Sequence, residues 1–243
     1  LAAAKAMDWI VGGQNLTLAI PKTTTRALKI TFQGRHALAP SFIRLLPRSR
    51  LDNWEAKAAA VCRSLELETG MAYPDAACIR KNQVIDLTDR MDATGRLNWT
   101  PPAGNWTVAR LGHVNMKQKN GPATREATGW ECSKLDKTAI ENHLRKGMIG
   151  DLAKPGGPCG DGKLYGLLID SWERFVPTWT MHRDLLFREF EQRRGYTMRP
   201  WLPAIMGYIV QDAEHTERFL RDLRETMDDL FVENFFAHFQ KIG

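Results

Sequence analysis

Residues Leu167–Phe175 read LLIDSWERF, and the apolar run that feeds them, LYGLLI, starts at Leu164. A short apolar run without polar alternation is the pattern of a strand covered on both faces, as in parallel sheets. It stops at Asp170, and Trp172 and Glu173 follow. A charge placed directly after a buried strand must be solvated, hydrogen-bonded or paired with a cation. In α/β folds the C-terminal ends of strands carry the chemistry, because loops from neighbouring strands converge there. Asp170 and Glu173 therefore read in two ways. They are an acid, a base, a metal ligand or an acceptor for sugar hydroxyls, or else Asp170 caps a turn and Glu173 pairs with an arginine. Position alone leaves both readings open.

Working outward, the pattern Met181–Arg194 reads as a helix stopped by Gly195 in a left-handed conformation. The stretch Ala213–Phe239 reads as a long helix, with Phe219, Leu223, Met227, Leu230 and Phe235 as its apolar stripe. Upstream, Ile140, Leu144, Met148 and Leu152 recur every four residues, with Ser133 or Asp136 as N-cap. Before that helix runs VNMKQKNGPATREATGWECS, residues 114–133. A polar loop of that size is functional or disordered. Alternating strands and helices imply a parallel sheet with helices outside. A complete eight-fold barrel takes about 250 residues, so residues 106–243 are expected to form a partial (β/α) barrel or a smaller open α/β domain. Residues 1–105 read as a β-rich, sandwich-like region. Asn15–Ile20 and Ala27–Phe32 alternate as strands, Asn82–Thr88 does so loosely, and Thr94–His113 looks like two strands around Pro101–Gly104. Trp54–Leu65 is the ambiguous stretch, compatible with a short helix.

Composition narrows the function class. Hydrophobic residues make up 43% and charged residues 26%, which is ordinary for a globular chain. The net charge of +6 is dispersed without a long basic block, so nucleic acid is not an expected partner. No apolar run approaches the ~18 residues of a membrane span, so no membrane partner is expected either. The four cysteines, Cys62, Cys78, Cys132 and Cys159, form no CxxC pair or zinc pattern, and one disulfide is compatible with them. Eight tryptophans are many for this length; their flat apolar faces suit sugar stacking and core packing alike.

A second acidic position lies in the long loop, where Glu131 sits between Trp130 and Cys132. Taken alone, it is a solvated charge favoured by the helix N-terminus that follows. Two loops that each bring a Trp-Glu pair, GWEC and SWER, make a stronger case. Two carboxyl groups flanking a cleft are the minimum equipment for acid/base glycoside hydrolysis. His113 and Asn115 fall just past the expected strand WTVARLG.

Four segments in fixed order, GHVNMKQKNGPATREATGWECSKLD, LLIDSWERFVPTWT, EFEQRRGYTMRPWLPAIMGYIV and ERFLRDLRETMDDLFVENFFAHF, resemble glycoside hydrolase family 106, the α-L-rhamnosidases. The resemblance runs from about residue 80 to 243. It implies a (β/α)-barrel catalytic domain interrupted or flanked by β-domains, an inverting mechanism, and calcium assisting sugar binding. It also implies an exported bacterial enzyme, periplasmic or secreted, acting on rhamnose-containing plant polysaccharides. Carried onto this chain, Glu131 and Glu173 become the candidate catalytic carboxylates, with Asp170 beside them and Glu131 a candidate calcium ligand. Trp130, Trp172 and Trp179 would stack on a 6-deoxy sugar, while His113 and Asn115 would bond its hydroxyls. The chain departs from the family pattern at Met116, where a small hydroxyl residue is expected, and at Ser133, where aspartate is expected. The second change takes an oxygen ligand from a loop that calcium would need, since calcium takes six to eight. An alternative is a non-catalytic carbohydrate-binding or scaffold piece; another is a barrel hydrolase for a different deoxy sugar.

Overall fold

The computed structural model describes residues 15–32, 40–61, 72–114, 117, 119–169 and 183–242. Along the chain run α1 (Trp54–Lys57), β1 (Cys78–Ile79), α2 (Lys137–Asn142), α3 (Arg183–Arg194), β2 (Ile209–Val210), α4 (Ala213–Phe231) and α5 (His238–Ile242). A 3₁₀ stretch, Arg199–Met206, leads into β2, and π-helical stretches, His143–Met148 and Val232–Ala237, extend α2 and α4.

The longest of these, α4, forms for local reasons. Asp212 caps it by accepting the His215 N–H at 2.8 Å. Phe219, Leu220, Leu223, Met227, Leu230 and Phe231 then fall on one face and are buried. Each such burial contributes about 1.5–3 kcal/mol. That face meets Phe190 of α3, whose ring lies 5.7 Å from Phe219 and 5.0 Å, edge-on, from Tyr196. Trp201 stacks on Phe219 at 6.0 Å. Charged groups close the rim: Arg194 donates to Asp229 at 2.6 Å, and Arg193 forks onto both oxygens of Glu233 at 2.8 and 2.6 Å. The Arg193 fork holds the Glu233 carboxyl below its ordinary range.

The β-layer is small. β1 and β2 pair in parallel, Cys78 opposite Ile209 and Ile79 opposite Val210. Thr216 stitches β2 to α4: its buried hydroxyl accepts from Val210 N at 2.9 Å and donates toward the Val210 and Asp212 carbonyls. On the other side, Leu51 N donates to Gly207 O at 2.9 Å. Trp54 there donates to Thr17 Oγ1 at 2.9 Å, and Thr17 in turn donates through N and Oγ1 to the buried Glu55. The segment around Thr17 is thus fixed by side chains of α1.

Several sequence expectations change. α3 is stopped by Gly195 with φ of 76°, as the pattern implies, and Asp136 caps α2 through Thr138 N and Ala139 N. Residues Ala27–Phe32, however, lie in no strand, and Leu28, Ile30 and Phe32 are half exposed. Between Thr94 and His113 the only ladder element is a single Met91–Leu97 bridge, and Trp99 meets Trp106 edge-on at 5.5 Å. Likewise Leu164–Ile169 is not a covered strand here: Leu168 is 87% exposed. An apolar run becomes a buried strand only when neighbours supply ladder bonds and a face, and no described segment pairs with these. Leu152 leaves the expected helical face because the helical stretch ends at Met148; it lies in the turn that follows and is exposed. In the Trp54–Leu65 stretch only α1 is helical among the described residues, and Ala59 with φ of 54° ends it.

Gly207 is required on two counts. Its φ is 80°, and a Cβ there would come within 2.5 Å of Trp54 Cδ1. Gly207→Ala is expected to destabilise this core by about 2–4 kcal/mol from combined strain and overpacking. Chemical denaturation monitored by tryptophan fluorescence checks it; a change under about 0.5 kcal/mol, the scatter of neutral surface substitutions, would contradict it.

Candidate active site

The loop that carries Glu131 is closed on itself by Asn120. Asn120 N donates to Gly129 O at 3.0 Å, its Oδ1 accepts from Gly129 N at 2.6 Å, and its Nδ2 donates to Ala127 O at 3.0 Å. One step on, Lys119 and Trp130 face each other in an antiparallel bridge. An Asn-Gly-Pro sequence is a turn signal, and Asn120 uses its amide to tie the turn's two sides together. Residues 119–130 therefore form a hairpin-like unit.

Trp130 is 57% exposed, with Lys119 Nζ 5.6 Å above its ring. An exposed indole of this kind is a flat apolar platform. Next to it, Glu131 is about three-quarters covered and its Oε2 accepts from Lys134 Nζ at 2.9 Å. Burial pushes the Cys132 thiol up, which keeps it a poor nucleophile. Cys78, Cys132 and Cys159 are free thiols.

The base of the loop is clamped to the C-terminal helices. Leu135 is buried and its carbonyl accepts from Asn234 Nδ2 at 2.9 Å. One turn later His238 Nε2 lies 2.5 Å from Glu141 Oε2, close enough for an ion pair. Arg145 also donates to Glu141 and, with His238, holds that carboxyl below its ordinary value.

The structure thus brings together Trp130 and Glu131, with Lys119 and Lys134 around them. His113 is exposed at the end of the 105–113 segment. Asn115, Asp170, Trp172, Glu173 and Trp179 lie outside the described residues. Lys134, Asn120 and Asn234 were missed from sequence. The i,i+3 spacing of Glu131 and Lys134 is a visible signal; the Asn234 contact, spanning 99 residues, leaves none.

Calcium takes several oxygen ligands, and two carboxylates near this loop are already engaged. Lys134 occupies one oxygen of Glu131, and the Asp136 carboxylate is used by its helix cap. Among the described residues no group of three or more His, Cys, Asp or Glu side chains gathers for a metal. Among them, too, no helix is long and apolar enough to cross a membrane.

An exposed tryptophan beside a mostly covered carboxylate offers a flat apolar face and a hydrogen-bond acceptor side by side. The chain belongs to glycoside hydrolase family 106, described as alpha-L-rhamnosidase, whose model matches residues 25–243. A putative beta-glucuronidase from Formosa agariphila is 32% identical over 234 residues, covering 96% of this chain and 19% of that protein. The structure of a rhamnosidase from Novosphingobium sp. PP1Y superposes with a TM-score of 0.64 at 30% identity, over 82% of this chain and 19% of that one. The chain therefore spans about a fifth of the length of each of these relatives.

Asn120→Ala removes two side-chain bonds, each contributing about 1 kcal/mol. Trypsin cleavage at Lys119 and Arg125 is expected to quicken about tenfold, as local opening becomes easier, while cleavage in α3 and α4 stays constant. Unchanged loop cleavage would show that Asn120 does not close the loop.

Proposed function

We propose that the full-length protein is a glycoside hydrolase that releases terminal α-L-rhamnose from plant polysaccharides or glycosides. Glu131 and Glu173 form its acid/base pair. The observation that carries this reading is the position of Glu131, partly covered, beside the exposed Trp130, in a loop clamped at its base. Membership of a family described as alpha-L-rhamnosidase, and similarity to a solved rhamnosidase, support rhamnose as the sugar.

In an inverting reaction one carboxylic acid protonates the leaving oxygen, while the other carboxylate takes a proton from water attacking the opposite face. The two stand about 6.5–9.5 Å apart to admit that water. Trp130, Trp172 and Trp179 would hold the apolar face of the sugar and its methyl group. His113, Asn115 and Asp170 would take its hydroxyls. We place these segments in a (β/α) barrel completed by the rest of the protein, in a bacterial periplasmic or secreted enzyme. Any calcium would draw on carboxylates other than the Lys134-paired oxygen of Glu131, and no step here runs through it.

The name of the Formosa relative favours a second reading, an enzyme that removes a glucuronic acid residue. A panel of aryl α-L-rhamnoside and aryl β-D-glucuronide, offered to the full-length protein, separates the two. Rhamnoside turnover alone is expected. Glu131→Gln and Glu173→Gln should each lower kcat by about 10²–10⁴-fold, the range of one acid/base group. Near-normal turnover of either variant removes that residue from the pair, and turnover of the glucuronide alone overturns the sugar assignment.

A further inference from the structure

We propose that Lys134 is the positioning residue for Glu131, an inference that rests on the reading of Glu131 as a reacting carboxylate. An exposed i,i+3 ion pair usually contributes little to stability, so the pair must be judged by how well it is held. Here both side chains are mostly covered, with 24% and 28% of their surface exposed. The Lys134 backbone is fixed on its C-terminal side. Leu135 is buried and bonded to Asn234, and Asp136 caps α2. The backbone beside Lys134 is therefore anchored through Leu135 to Asn234, 99 residues on from Leu135, and the ammonium reaches the Glu131 carboxylate from that fixed base.

Its geometry divides the work of the two carboxylate oxygens. Oε2 is taken by Lys134 at 2.9 Å, while Oε1 has no hydrogen-bond partner among the described residues. A carboxylate held by one oxygen keeps the other in a defined place for a proton to be passed or accepted. Loss of such placement costs rate more than substrate binding, since a displacement of about 1 Å in a reacting group can cost ~10²-fold. Lysine supplies this as a point charge on a flexible stem; arginine at the same site keeps the charge and the donor.

The test uses the full-length enzyme and an aryl α-L-rhamnoside. Lys134→Gln is expected to lower kcat by about 10- to 100-fold, with KM within about twofold and an unchanged melting temperature. Lys134→Arg should recover most of the loss. Near-normal kcat in Lys134→Gln overturns the proposal, and so does a loss in both variants that tracks a lowered melting temperature. If the glutamine variant does not fold, the arginine variant decides: kcat as low as in Glu131→Gln overturns the proposal, and kcat near wild type supports it. Glu131→Gln, run alongside, separates the two levels. An active Glu131→Gln enzyme defeats the underlying reading, whereas an inactive one beside a fully active Lys134→Gln enzyme defeats only the role of Lys134.

Discussion

Burial of one face of α4 is the constraint on which the other described elements depend. Phe219, Leu223 and Leu230 must leave water, and Phe190, Trp201, Leu51, Ala58 and Ala59 share their core. Once α4 is placed, Thr216 sets β2 against it, and β2 takes β1 in parallel register. The far end of the same helical run carries Asn234, within the π-helical stretch, to Leu135 at the base of the Glu131 loop, and His238, just past it, to Glu141 of α2. Hydrophobic burial supplies the energy here, and a few long-range polar contacts convert it into position.

That division explains which parts were legible in the sequence. The α4 stripe, the Asp136 cap and the Gly195 stop depend on residues within a few positions, so their pattern is visible without a partner. The Trp-Glu repeat in two loops singled out Trp130 and Glu131, and the fold adds what the repeat does not contain, an exposed indole beside a carboxylate paired with Lys134. The apolar runs Ala27–Phe32 and Leu164–Ile169 were different. Their alternation or continuity describes a surface to be covered, and covering is a property of distant segments. The described residues leave Phe32 half exposed and Leu168 largely exposed.

The polar contacts that fix the site were the least visible. Asn234 reads as one more polar residue on a helix, and only the fold shows its amide on the Leu135 carbonyl. Lys134 reads as a solvated charge near a helix start until its ammonium is found on Glu131. The π-helical turns at His143–Met148 and Val232–Ala237 also escape a four-residue periodicity, because they rotate the side chains that follow. The second of these stretches is where the α4 run meets α2, and its Asn234 holds the Leu135 carbonyl.

The central claim is that this fold presents Glu131 as one member of an inverting acid/base pair acting on α-L-rhamnose. The anomer first released states this most directly. Proton NMR of the full-length protein hydrolysing an aryl α-L-rhamnoside would follow it before mutarotation. The account predicts β-L-rhamnose as the first product. First release of the α anomer, or no release of rhamnose, would contradict it.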